Sequence, residues 1–212
     1  NELNGTFSDP LNGINQEYQR INTNDNLNSG YEWSLDYVKK FAKNKEQELS
    51  ISYKIDGNVQ NQALTVIQQD LIADDRSLFQ NDRNDNDGDN KENTIQIDYV
   101  HPFSKNVKIE LGAKAILRNV VSDFSYDTLN RSNSQYITDQ SRSDIFYYDQ
   151  NVISSYVSSR INFGENYGLI AGVRYEHTDI QGDFNVEENT FENSYDNWLP
   201  SVTLSRKIGK TS

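Results

Sequence analysis

Apolar and polar residues alternate with a period of two along most of this chain. Tyr31, Trp33, Leu35 and Tyr37 are interleaved with Glu32, Ser34 and Asp36, an unbroken run that predicts a half-buried β-strand. The same pattern recurs in Leu49, Ile51, Tyr53 and Ile55, and in Ile95, Ile97 and Tyr99 around Gln96 and Asp98. A longer run sets Val107, Ile109, Leu111, Ala113, Ala115 and Leu117 against Lys108, Glu110, Gly112, Lys114 and Arg118. Tyr167, Leu169, Ala171, Val173 and Tyr175 oppose Gly168, Gly172, Arg174 and Glu176, and Pro200, Val202 and Leu204 alternate with Ser201, Thr203 and Ser205. Residues 147–161 read as a strand whose faces the pattern leaves unassigned. The expectation is an all-β chain, an antiparallel meander of about seven long strands. Trp33, Tyr37 and Phe41, and separately Leu64, Ile67 and Leu71, also carry helical spacing. Strand is the better reading of the first, whose alternation is unbroken, while residues 63–71 stay open between the two.

Two kinds of break separate the strands, and they alternate. Short, often basic ones fall at 41–45 (FAKNK), 102–106 (PFSKN), 162–166 (NFGEN) and 207–210 (KIGK). Long ones rich in Asp, Asn and Ser fall at 1–28, 74–92, 127–144 and 181–196. Hairpins with tight turns at one end and long loops at the other would produce this order.

Composition narrows the class. A net charge of −12 and a pI near 4.6 argue against a nucleic-acid partner. Mean hydropathy is −0.84 and no apolar run reaches helix-spanning length, so no transmembrane helix is expected. Aromatics at 11% nevertheless set the chain apart from a disordered one. The absence of Cys removes disulfides and thiolate chemistry, and the absence of Met fits a fragment or a processed chain.

What covers the apolar face decides the fold. A second sheet would cover it in a soluble β-sandwich, and lipid would cover it in a transmembrane barrel whose polar face lines the interior. Both demand the same alternation. Three features favour the barrel. The apolar bands are about 7 to 11 residues long, near the roughly 9 to 11 that a tilted strand needs to cross hydrocarbon. Aromatics sit near band ends, as in interfacial girdles: Tyr31 and Tyr37, Tyr99 and Phe103, Tyr167 and Tyr175, and Trp198. The loops are also lopsided in length.

The stretch Gln96-Ile97-Asp98-Tyr99-Val100-His101-Pro102-Phe103, with its short turn and the strand that follows, resembles a hairpin of the TonB-dependent receptor barrels, particularly the Bacteroidetes-type outer-membrane β-barrel family. Gly172-Val173-Arg174-Tyr175-Glu176-His177-Thr178, Asn197-Trp198-Leu199-Pro200-Ser201-Val202-Thr203-Leu204-Ser205 and the opening Tyr31-Glu32-Trp33-Ser34-Leu35-Asp36-Tyr37 extend the resemblance over most of residues 29–207. The resemblance implies a 22-stranded outer-membrane barrel with a plug, driven through TonB and taking up a scarce nutrient such as a siderophore, oligosaccharide or peptide. No plug and no TonB-contacting segment are recognisable, and seven strands are too few to close a barrel. Residues 1–212 are therefore expected to be a partial barrel domain, with short turns periplasmic and long acidic loops extracellular. It would be non-enzymatic and without a cofactor, and its partners would be outer-membrane lipid, a plug domain and the TonB complex. The rival expectations are a soluble extracellular β-sandwich that binds carbohydrate or acts as an adhesin, and a barrel enzyme with external carboxylate or His chemistry.

Candidate sites follow from the faces. Lys114, Arg118, Arg174 and Glu176 lie opposite the apolar band and would face a lumen or plug, or simply form cross-strand ion pairs. Tyr136, Tyr147 and Tyr148, in or beside a long loop, could stack on a ligand or mark an interface. The acidic stretch 82–92 (DRNDNDGDNKE) fails the EF-hand test, since Gly88 at position six puts Arg83 first and Thr94 last. His101 and His177 are expected at opposite ends of the sheet, so no shared metal site and no Ser/His/Asp arrangement is assigned. Gly112, Gly168 and Gly172 are read as easing curvature or close backbone approach.

Overall fold

The computed structural model describes residues 2–9, 14–71, 78–185 and 189–209. Its strands are β1 (Glu2–Asp9), β2 (Ile14–Phe41), β3 (Asn44–Asp70), β4 (Leu78–Ser104), β5 (Val107–Asn130), β6 (Gln135–Thr138), β7 (Asp144–Phe163), β8 (Tyr167–Phe184) and β9 (Thr190–Arg206). They form one antiparallel sheet in the order β1-β2-β3-β4-β5-β7-β8-β9, with β6 paired to the upper part of β5. The seven long strands are those the alternation predicts, and β1 and β6 are short additions to them.

The principal departure from the sequence reading is strand length. Residues 63–71 are strand as far as Asp70 rather than helix. Most of the segments read as long loops also continue as β-ladder. Residues 82–92 are interior to β4, paired with both β3 and β5. Residues 18–28 pair with β3, and β5 runs on to Asn130 before a tight turn at 131–134 leads into β6. Parts of the predicted breaks, at 74–77, 186–188 and the terminal Lys210, lie outside the described residues. Asn and Asp are poor strand formers, yet a strand flanked on both sides gains a complete backbone ladder, and that outweighs intrinsic preference. Cross-strand side-chain bonds add to it: Asn61 Nδ2 donates to Asp87 Oδ1 at 2.6 Å and Ser122 Oγ to Asn86 Oδ1 at 2.7 Å. The lopsidedness is real, but it is a long polar extension of the sheet at one end.

The short turns at the other end match their predicted positions. Gly164 takes φ +64°, a left-handed conformation open to glycine, and turns β7 into β8. Neighbouring turns are tied together by Asn162 N–H to Asn106 O at 2.8 Å and Lys207 N–H to Asn166 O at 2.7 Å.

Among the described residues there is a single layer and no sealed apolar core. Val66, 4% exposed, is the one buried hydrophobic residue, whereas Trp33 is 51% and Leu111 45% exposed. A dry sandwich core is therefore absent from this sheet. Val66, Asp82, Ser154 and Thr178, four of the buried residues, lie on the polar face, and the buried exception on the outer face, Asp127, is covered locally by Thr138 of the β6 hairpin and by Arg83. In one layer a side chain can be covered only by neighbours on its own face, so the sheet curls toward the polar side. The polar face is the inner one and the apolar face the outer.

Candidate functional site

Cross-strand register turns the alternation into two continuous surfaces. On the outer face, Lys39, Leu49, Tyr99, Leu111, Val157, Val173 and Pro200 form one row across seven strands. Next to it run Tyr37, Ile51, Ile97, Ala113, Ser155, Tyr175 and Trp198. The faces of residues 147–161 are now assigned: Tyr147, Ile153, Val157 and Ile161 point outward, Tyr148 and Tyr156 inward.

Aromatic residues bound this apolar band at both margins. Phe41, Tyr99, His101 and Phe103 stack in sequence near the short turns, with centroid separations of 6.0 to 6.5 Å. Tyr31 and Trp33 mark the upper margin on β2, and Trp198, 5.1 Å from Tyr175, marks it on β9. The upper margin is inclined. Trp33 aligns through Ile55, Asn93, Leu117, Asn151 and Asp179 with Ser194, and Tyr31 by the same route with Glu192. Trp198 lies below both. A fall of about 13–20 Å over six strand spacings of about 4.8 Å is a slope of roughly 25–35°, approaching the tilt of strands in a transmembrane barrel.

Above the band the outer face turns acidic. His177 Nδ1 lies 2.7 Å from Asp196 Oδ1 and its Nε2 lies 3.2 Å from Asp179 Oδ2, while Tyr175 donates to Asp196 at 2.6 Å. The hydrogen bond to Asp196 leads the causes that raise the His177 pKa, and Tyr175 and His177 together hold Asp196 below the usual carboxylate range. His101 sits on β4 at the other margin, with β5 and β7 between it and the strand of His177.

The inner face carries a linked polar network. Arg118 donates to Glu92 on one side, its Nε at 3.0 Å, and to Gln150 Oε1 at 3.1 Å on the other, joining three strands. Lys54 bridges Glu32 at 3.2 Å and Asp56 at 3.0 Å. Tyr156 crosses the sheet to donate to Asp98 Oδ1 at 2.8 Å, and the Arg174 guanidinium sits 5.7 Å from its ring centre. That crossing needs Gly112, because a Cβ there would meet the Tyr156 ring at 2.2 Å and Asp98 Oδ1 at 2.4 Å. Gly112 makes room for a side chain rather than for curvature. Lys114 and Glu176 share a row with Ser154 between them and form no ion pair with a described residue.

The four charged candidates thus occupy one face, but among the described residues only Arg118 is ion-paired, to Glu92, with a hydrogen bond to the neutral Gln150 on its other side. The three tyrosine candidates do not converge. Tyr136 points outward, donates to Asn81 at 2.6 Å and supports the Arg83 guanidinium at 5.5 Å, bracing the upper hairpin. Tyr147 is outward and exposed, and Tyr148 is inward beside Phe146. Among the described residues no group of three metal-ligating side chains is assembled. The sequence reading missed Asp98 and Tyr156, whose link depends on register across β4, β5 and β7. It also missed the inner surface of the polar extension, although the strict Asn/Asp alternation of residues 84–87 was its signal.

Residues 40–212 match the sequence profile described as Outer membrane protein beta-barrel family. No curated protein matches. Among solved structures, the chain is similar to the ferric citrate transporter FecA in its unliganded form, at 11% identity and a TM-score of 0.45 over 92% of this chain and 34% of that one. It is also similar to the ferric yersiniabactin uptake receptor FyuA from Yersinia pestis, at 9% identity and a TM-score of 0.34 over 96% of this chain and 37% of that one. The chain therefore spans about a third of the length of either.

Proposed function

Since this chain belongs to the outer membrane protein beta-barrel family, we propose that it is a wall segment of a TonB-dependent receptor that takes up a scarce nutrient. Lipid wets the outer band, and the inner network of Arg118, Lys54, Tyr156 and Asp98 faces a plug and the ligand path. Lys114, Arg174 and Glu176 are the inner charges available to such a plug. The observation that carries this reading is the inclined, aromatic-bounded band. An apolar surface of about 7 to 11 residues per strand whose upper margin is lower on β9 than on β2 matches a flat slab crossed by tilted strands. The short turns are periplasmic and the polar extension stands outside the cell. The protein carries a ligand without chemical change, as a receptor rather than an enzyme.

Two measurements on the full-length protein test this. Ser132→Cys, at the upper turn, is expected to react with a membrane-impermeant maleimide in intact cells, and Asn106→Cys only after the outer membrane is permeabilised. The reverse pattern would contradict the orientation. The purified protein is expected to be retained by the immobilised periplasmic domain of TonB, and failure of retention would remove the TonB-dependent reading.

A further inference from the structure

On the polar extension the alternation separates charge from amide. In residues 84–87 the sequence reads Asn, Asp, Asn, Asp, and register puts Asp85 and Asp87 on the outer face and Asn84 and Asn86 on the inner. Asn24, Asn26 and Asn28 of β2 and Asn58, Gln60 and Gln62 of β3 fall on the same inner face. The outer face there is acidic, while the inner face is an almost uncharged field of primary amides. A groove of about 250 Å³ opens into this field, lined by Asn24, Asn26, Gln62, Leu64, Asn84 and Phe124. All six lie on the inner face, drawn from four adjacent strands. Asn84 Oδ1 is buried and has no hydrogen-bond partner among the described residues. Farther along the inner face, Phe146 and Phe184 pack at 4.7 Å, and the Phe191 ring covers Gly182.

This combination selects a ligand chemistry. A primary amide offers two donors and an acceptor, the complement of hydroxyls that both donate and accept, and an aromatic ring offers a flat apolar platform. A carboxylate or an anionic chelate would find no cation in the groove to neutralise it. Resting on the receptor reading above, we infer that this inner amide-and-aromatic groove binds a neutral oligosaccharide, with Phe124 as stacking platform and Asn24, Asn26, Gln62 and Asn84 reading its hydroxyls.

The test uses the full-length protein in detergent on an array of neutral hexose and N-acetylhexosamine oligosaccharides, alongside uronic and sulfated oligosaccharides, ferric citrate and polar peptides. Capture of neutral oligosaccharides is expected, with affinity falling about tenfold or more in Phe124→Ala and in the double variant Asn26→Ala, Gln62→Ala. Asn61→Ala, the outward neighbour of Gln62, should bind as the parent does. Heat-modifiable migration on gels confirms that each variant is folded. Capture of only anionic or peptide probes, capture of nothing, or saccharide binding indifferent to the inner variants would overturn the inference. Capture of ferric citrate or peptides alone would do so while leaving the receptor reading intact, since TonB retention tests that reading separately.

Discussion

Leu111→Arg is expected to destabilise the full-length barrel in lipid vesicles by about 2–4 kcal/mol, the cost of an Arg near the bilayer midplane on a lipid-facing position. On β5 the outer band runs from Val107 to Leu117, so Leu111 stands near its centre, between Tyr99 and Val157 in its row. Urea titration of folding into vesicles measures the effect. Gln96→Arg, on the opposite face and within reach of Asp98, to which Gln96 already donates at 2.7 Å, should change stability by less than about 1 kcal/mol. Equal costs at the two sites would show that the faces are not wetted by different solvents.

The second large effect is expected at Gly112. Glycine in a strand interior normally weakens it, so a larger residue would ordinarily help. Here a side chain must displace the Tyr156 ring and break its bond to Asp98. Gly112→Val should therefore cost about 1–3 kcal/mol, the range for overpacking. In a Tyr156→Ala background, where the ring is gone and only the Asp98 carboxylate, released from its bond to Tyr156, must turn aside, the same change should cost clearly less. That non-additivity identifies the ring as the cause, and an equal cost in both backgrounds would refute it.

How far the fold was legible depended on which force each segment obeyed. From Trp33 to Tyr37 and from Val107 to Leu117 the strands are held by the partition of apolar from polar side chains, and a period of two records that directly. The polarity of Lys114, Arg118, Arg174 and Glu176 placed them on the inner face for the same reason. Residues 17–28 and 82–92 form strand because neighbouring ladders complete their hydrogen bonds, a cause that lies in other strands and leaves no hydrophobic trace. Composition alone made them look like loops. The Tyr156–Asp98 link was invisible for a related reason: it joins residues 58 apart whose meeting is fixed by register and by a vacancy at Gly112. The Asn/Asp alternation was in plain view, but periodicity in polar residues carries meaning only once a strand is known to be there.

The most direct test of the account is nitroxide scanning of residues 107–121 in the full-length protein reconstituted into vesicles, reading collision with oxygen against collision with a polar nickel chelate. Odd positions from 107 to 117 should favour oxygen, most strongly near 111 and 113, even positions should not, and 119 and 121 should favour the chelate. Odd positions shielded from both reagents would mean that protein, not hydrocarbon, covers that face, and would contradict the account.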